Sequence, residues 1–414
     1  MRRFGLSSLK PKAAPGKPAR SIWWRLHHWA GLQVSLFLAF VCLTGTLAVF
    51  SYELDWLARP AMWTAPVAAE DQASWGDVLN TARHAAPDAV GMNIYRPLHP
   101  LSTYDAVARA NGENTHYYIH PGTAELTGTG DWIGFQRFLR NTHRHLMLPV
   151  PIGVSIVSLA AILLGVTLVT SFWVYKRWWR GFLRWPKGRT MRALIGDIHR
   201  LTGLWSIWFV ALICLTGYFY LAEQWGFDAP AANAAPATLE SSIAPDKSLP
   251  SPGQALDAGL NQLSQVQPGY QVSLVRWTAA QPDVIEVHGE AGRALLVRPR
   301  ANAVWIHART GALLGEADAR TLSAHQRIAE MADPLHFGTF GGYWTKTLWF
   351  LFGAMLTGLS ATGAVIYVLR IAKTEREEPG WISGFYRLWN KMGRARWLAA
   401  ALIVLPFGLA PFVL

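Results

Sequence analysis

The sequence predicts an integral-membrane, all-α helical bundle of four to five spans in two repeats of parallel topology, with two small α+β domains outside the membrane. Three observations predict it. The chain holds several long apolar runs. Its basic residues are confined to alternate connecting segments. One motif, with the segments around it, occurs twice.

A bilayer core needs about 20 apolar residues at 1.5 Å rise each. Four runs are long enough: 29–52, 149–175, 201–222 and 347–369. A fifth, 397–414, is shorter and holds Pro406 and Pro411. A chain that is 51% hydrophobic with 21 Trp is too apolar for an ordinary soluble enzyme. Segments 1–28, 176–200 and 370–396 hold 22 of the 38 Lys and Arg but only four acids, a net +18; the rest of the chain carries −6. That alternation follows the positive-inside rule, so these three segments face the cytoplasm. The expected order is a basic cytoplasmic N-terminus (1–28), TM1 (29–52), an outer α+β domain (53–148), TM2 (149–175), a cytoplasmic loop (176–200), TM3 (201–222), an outer linker with a second domain (223–346), TM4 (347–369), a cytoplasmic loop (370–396) and TM5 (397–414).

The net charge of +12 does not point to nucleic acid, because the basic residues flank membrane spans beside Trp pairs instead of lining a soluble face. The first apolar run exceeds the 7–15 residues of a usual signal h-region, and no small-residue cleavage site follows closely, so it reads as an uncleaved span. Cys42 and Cys214 are the two cysteines and both fall inside spans, which excludes a disulfide framework, a CxxC metal site and a CxxCH haem attachment. No GxGxxG stands between a strand and a helix, so no nicotinamide or flavin fingerprint is present.

The repeat is read most directly in the spans. "HHWAGLQVSLFLAFVCLTG" starts at His27 and "HRLTGLWSIWFVALICLTG" at His199. In both, Gly follows the histidine by four residues and Cys-Leu-Thr-Gly begins fifteen residues on. Outside the spans, "YIHPGTAELTG" (118–128) matches "WIHARTGALLG" (305–315). Helix-like patterns near 74–86 and 252–265 each precede alternating, strand-like runs: "GMNIYRP", "TYDAVARA" and "THYYIHP", then "YQVSLVRW", "DVIEVHG", "ALLVRP" and "AVWIHA". The TG and PGT tracts read as turns. The Ala/Pro/Ser-rich stretch 229–252 reads as a linker.

Four of the thirteen histidines stand where a span meets its interface. His27 and His199 open TM1 and TM3 on the cytoplasmic side; His143 and His336 precede TM2 and TM4 on the outer side. This makes one pair per leaflet, each with one member from each half. Two imidazoles facing each other suit a tetrapyrrole iron, which takes four nitrogens from its ring and two axial ligands from protein. A single histidine at a helix mouth is more often an interfacial side chain than a ligand, but four at repeat-matched ends are harder to dismiss, since ionisable groups within spans are costly and tend to mark function. Gly31 and Gly203, one turn on, stand where a bulky ring needs missing side chains. Arg25, Arg144 and Arg200 adjoin the histidines, suited to carboxylates or to snorkelling. His120 and His307, at matched strand positions, read as packing features of the repeat.

These residues resemble the PepSY-associated transmembrane family, whose pieces occur in order: "LHHWAGL" (26–32), "HRHL" (143–146), "DIHRLTGLW" (197–205), "DPLHFGTFGG" (333–342) and "LTGLSATGAVIYVLR" (356–370). The resemblance covers about residues 20–370. It implies PepSY-like outer domains and a bacterial inner-membrane location. It further implies a ferric-siderophore reductase holding two b-type haems, the inner on His27 and His199 and the outer on His143 and His336. "HRH" also offers His145; the family's His-Arg-x-Leu favours His143. On this reading the chain is an oxidoreductase that takes electrons from a cytoplasmic donor or a membrane quinol and reduces a periplasmic ferric siderophore. Two other classes stay open from the residues alone: a non-redox PepSY module that binds an envelope protein, and a transporter of a chelate or metal.

Overall fold

The computed structural model describes residues 21–33, 35–233, 251–292, 294–375 and 381–413. Most of the expected linker, 234–250, and most of the basic N-terminus lie outside them. The first half runs through α1 (Ile22–Gln33), α2 (Ser35–Ala48), α3 (Ser51–Ala58), α4 (Trp75–Ala85), β1 (Gly91–Tyr95), β2 (Tyr104–Ala110), β3 (Glu113–Ile119), β4 (Leu126–Asp131), α5 (Phe135–His145) and α6 (Val150–Val174). The second comprises α7 (Met191–Trp205), α8 (Ile207–Gln224), α9 (Pro252–Val266), β5 (Gln271–Thr278), β6 (Val284–Glu290), β7 (Val304–His307), β8 (Leu313–Glu316), α10 (Ala324–Phe337) and α11 (Gly342–Glu375). Then α12 (Trp381–Lys391) and α13 (Ala395–Val413) end the chain.

Among the described residues four helices, α6, α8, α11 and α13, are long and apolar enough to cross a membrane. The pair α1 and α2, bent by 65°, counts as a fifth span when taken together. The chain is a multi-pass membrane protein. Helix packing corresponds between the halves. α1 lies on α6 as α7 lies on α11, α2 on α11 as α8 on α6, and α5 on α2 as α10 on α8. Small residues permit the closest approaches. A Cβ on Gly217 of α8 would stand 2.7 Å from Ala161 of α6, and one on Gly353 of α11 would stand 2.7 Å from Thr46 of α2. Such contacts supply packing where lipid offers no hydrophobic contrast.

The extramembrane elements depart from expectation in one large respect. The two halves do not make two separate sheets. Their strands join in a single antiparallel sheet of order β4-β3-β2-β1-β5-β6-β7-β8, with Ile94 opposite Val275 and Tyr95 opposite Leu274 at the central seam. The cause is that β1 and β5 would otherwise be exposed edges, and pairing them satisfies both rows of backbone groups. One face alternates apolar residues, Met92, Ile94, Val275, Ile285, Val287 and Ile306, against Val78 and Leu79 of α4 and Leu256 and Leu263 of α9. Ser74 caps α4, and a Ser251–Gln254 capping box opens α9. The two helices also cap each other: Gly76 N donates to Asp257 Oδ1 (2.8 Å) and Gly253 N to Asn80 Oδ1 (3.2 Å).

Two local readings are also corrected. "ALLVRP" is not a strand: Leu296 takes a left-handed conformation (φ 57°) and Arg298 is drawn to α10. The TGTG tract is not a turn; it is most of β4, where a Cβ on Gly130 would meet Tyr118 Oη at 2.5 Å.

Candidate functional site

The four interfacial histidines are held in one common way. Each Nδ1 bonds to an oxygen of a neighbouring helix. His27 Nδ1 donates to the Thr167 carbonyl and to Thr170 Oγ1 on α6, both at 3.0 Å. His199 Nδ1 donates to Thr362 Oγ1 on α11 (2.9 Å). His143 Nδ1 donates to the Val41 carbonyl of α2 (2.9 Å), and His336 Nδ1 to Thr216 Oγ1 of α8 (2.8 Å). A carbonyl only accepts. Each threonine hydroxyl directs its single proton to a carbonyl of its own helix: Thr170 to Val166 (2.6 Å), Thr362 to Gly358 (2.7 Å) and Thr216 to Leu212 (3.0 Å). The carbonyl acceptors place the Nδ1 protons of His27 and His143, and with the hydroxyl protons directed to their own helices His199 and His336 take the same tautomer, which leaves the Nε2 lone pairs free. This is the arrangement by which outer groups orient a metal-binding imidazole.

On the sheet side, the rings of His143 and His336 stand with centroids 6.1 Å apart, inclined by 36°. Two metal–nitrogen bonds of roughly 2 Å in line would place imidazole centroids roughly 6 Å apart. A cavity of about 240 Å³ opens here between the halves, lined by both histidines and largely by apolar or small groups such as Val41, Ala160, Ala161 and Phe209. Gly45 makes room for the ring, since a Cβ there would stand 2.5 Å from His143 Cε1. Among the described residues no group of three or more His, Cys, Asp or Glu converges as a bare ion would require. Paired imidazoles in an apolar cavity fit a macrocycle that brings its own four nitrogens.

The elements that carry the outer pair are firmly placed. α5 ends in Leu146 and Met147, both left-handed (φ 55° and 58°) and buried. Two such non-glycine residues cost about 1–2 kcal/mol each, offset by burial of both side chains. This turn puts His143 toward His336; His145 does not line the cavity and its Nδ1 is buried without a partner. α10 opens on a Ser323–Gln326 capping box and closes on left-handed Gly338 (φ 69°). Its acids tie it down: Tyr220 Oη donates to Asp333 Oδ1 (2.8 Å), Arg298 to Asp333 Oδ2 (2.7 Å) and Glu330 Oε2 (2.8 Å), and Arg300 to Glu330 Oε1 (2.7 Å). Burial alone would raise the Glu330 carboxyl, but the Arg298 and Arg300 hydrogen bonds outweigh it and hold it below the usual range.

On the far side of the bundle, His27 lies on α1, held to α6, and His199 lies on α7, held to α11. A family model for the PepSY-associated TM region matches residues 24–370, which span both histidine pairs. The chain belongs to the PepSY-associated TM family. It is also 32% identical over 79 residues to an uncharacterized protein of Pseudomonas aeruginosa, PA4219, an alignment that covers 19% of this chain and 20% of that one.

In this PepSY-associated TM protein the expected arginines separate. Arg144 lines the outer cavity together with Arg140 and Arg298. Arg298 is neutralised by its acids, whereas Arg140 and Arg144 form no ion pair among the described residues. Arg200 pairs with Asp197 (3.5 Å) and donates to the Arg184 carbonyl (3.0 Å), so its charge is taken up by the protein. Arg25 is exposed. Gly31 faces open space, and at Gly203 the nearest group to a Cβ would be Leu359 at 3.6 Å, so room remains beside both. Sequence reasoning missed the threonines. Thr216 was signalled, since it lies in the Cys-Leu-Thr-Gly that occurs twice; Arg140 was signalled only by its place one turn before Arg144 on α5. His120 and His307 play matched structural parts, each Nδ1 accepting two backbone N–H groups of the next turn.

Proposed function

We propose that the protein holds two b-type haems, on His143 with His336 and on His27 with His199, and carries electrons across a bacterial inner membrane to a ferric siderophore on the sheet side. The observation that carries this reading is the shared anchoring: four imidazoles held through Nδ1, with the rings of His143 and His336 6.1 Å apart at a largely apolar cavity. Bound there, the iron would supply one-electron transfer, and two imidazoles leave it no open position for oxygen. The chain's own residues do the rest. Thr216 and the Val41 carbonyl hold the Nδ1 protons and fix the ring planes. Arg140 and Arg144 balance carboxylates at the cavity wall. The apolar lining keeps water from the iron. A siderophore binds ferric iron through hard oxygen donors, which suit ferrous iron less, so one added electron loosens the metal. Siderophore and direction of flow rest on the family resemblance.

Purified protein from a haem-supplied host should show a reducible Soret band and two b haems per chain by pyridine haemochrome. His143→Ala or His336→Ala should remove one haem, and His27→Ala or His199→Ala the other. A colourless protein would end this reading and favour an envelope-binding module.

A further inference from the structure

The connection between α6 and α7 folds back instead of looping freely. It runs antiparallel along one flank of α7. A Cβ on Gly181 would touch Leu204, and one on Gly188 would touch the Ala193–Leu194 backbone. Three hydrogen bonds clasp it: Trp205 Nε1 to the Phe182 carbonyl (3.0 Å), Arg200 to the Arg184 carbonyl (3.0 Å) and Lys187 N to Asp197 Oδ2 (3.1 Å). Trp185 stands edge-on to Trp205 at 5.8 Å. The helix that carries His199 is therefore held between this connection and Thr362 of α11.

The outward side is strongly cationic. Arg177, Arg180, Arg184, Lys187, Arg189 and Arg192 are all exposed, and among the described residues none has an ion pair. Asp197, the one acid between 176 and 200, is turned inward to Lys187 N and Arg200. Leu183 and Trp185 are exposed among these charges, the pairing of Arg with large apolar anchors found at protein interfaces. The Arg184 carbonyl is bonded by Arg200, the residue next to His199.

We infer that this ordered loop is the docking face for an acidic, soluble electron-donor protein. The inference rests on the proposed electron-transfer function and names the partner at its inner end. Basic residues that only anchored the bundle in anionic lipid would need no fold of their own. Here three hydrogen bonds fix the loop against the helix that holds His199. A cationic, pre-ordered surface steers an anionic partner and sets its orientation.

The test uses the full-length protein in nanodiscs of phosphatidylcholine, so that no anionic lipid competes, with flavodoxin as an acidic probe protein. Binding of labelled flavodoxin should be measurable at about 20 mM salt and weaken at least about tenfold by 0.5 M, where screening is nearly complete. The triple variant R180Q/R184Q/R189Q should lose at least about tenfold in affinity, while reduction by dithionite keeps its rate. Absence of flavodoxin binding, or equal binding by variant and wild type, overturns the inference. So does a variant that changes only the anionic phospholipid retained on purification, which would assign the charges to lipid. The Soret band of the same preparation reports separately on the haem reading, because docking is measured without electron transfer.

Discussion

The smallest decisive feature is a threonine hydroxyl. Thr216 and Thr362 each give their proton to their own helix and accept that of an imidazole from another. Such partners raise ligand basicity, and their loss weakens metal binding by about 10–100-fold. On the proposed haem reading, Thr216→Val should therefore lower haem affinity at the outer site by about that factor, with a raised midpoint potential for that haem alone. Haem titration of apo-protein and a redox titration check both; unchanged values would mean that Thr216 only packs. Gly45 gives a second expectation. Gly45→Ala forces the His143 ring from its place, an overpacking of about 1–3 kcal/mol. Loss of the outer haem signal with the inner retained is the result to look for. The family's His-Arg-x-Leu favoured His143 over His145; the residues alone left both open, because two residues of helix turn a side chain by about 200° and the orientation depends on how α5 packs against α2 and α6.

At the level of single elements, α10 links the sheet to the bundle. Its Glu330 is 1% exposed and receives Arg298 and Arg300 from the sheet layer. Removing one side of a buried pair costs about 3–5 kcal/mol, so Glu330→Gln should destabilise by about that much in thermal or denaturant unfolding. The pH dependence follows from the depressed carboxyl. Its stabilising contribution is complete above the ordinary value of 4.5 and is lost as pH falls through the lower folded value. Wild type should lose stability across that acid range and the Gln variant should lose less. If the two acid limbs coincide, Glu330 does not anchor α10. The sequence marked the Asp-Pro-Leu-His motif of α10 but not the helix itself. Its partners lie some 30 residues upstream, in a run that reads as a strand by composition.

Over the whole molecule, the two halves share one sheet and one bundle. Residues 91–95 pair with 274–278, and α4 and α9 cap each other across the same seam. Neither half can close its own sheet edge. The N-terminal half produced alone should aggregate or self-associate through β1, while the two halves co-expressed as separate chains should copurify. A monomeric, folded N-terminal half in detergent would contradict this. The correspondence of helix contacts between halves also explains why paired histidines arise from opposite halves: α5 and α10 pack at matched positions on α2 and α8.

By itself, the sequence determined the apolar spans, the alternation of charge, the doubled motif and the four histidines at helix mouths. These are local signals, set by hydrophobic run length and residue spacing along one chain. Only the tertiary structure decided that eight strands form one sheet, that His143, the histidine the family motif favoured, stands beside His336, and that threonines of neighbouring helices hold the imidazoles. Each of these depends on contacts between residues over a hundred positions apart, where spacing along the chain carries no information about approach in space.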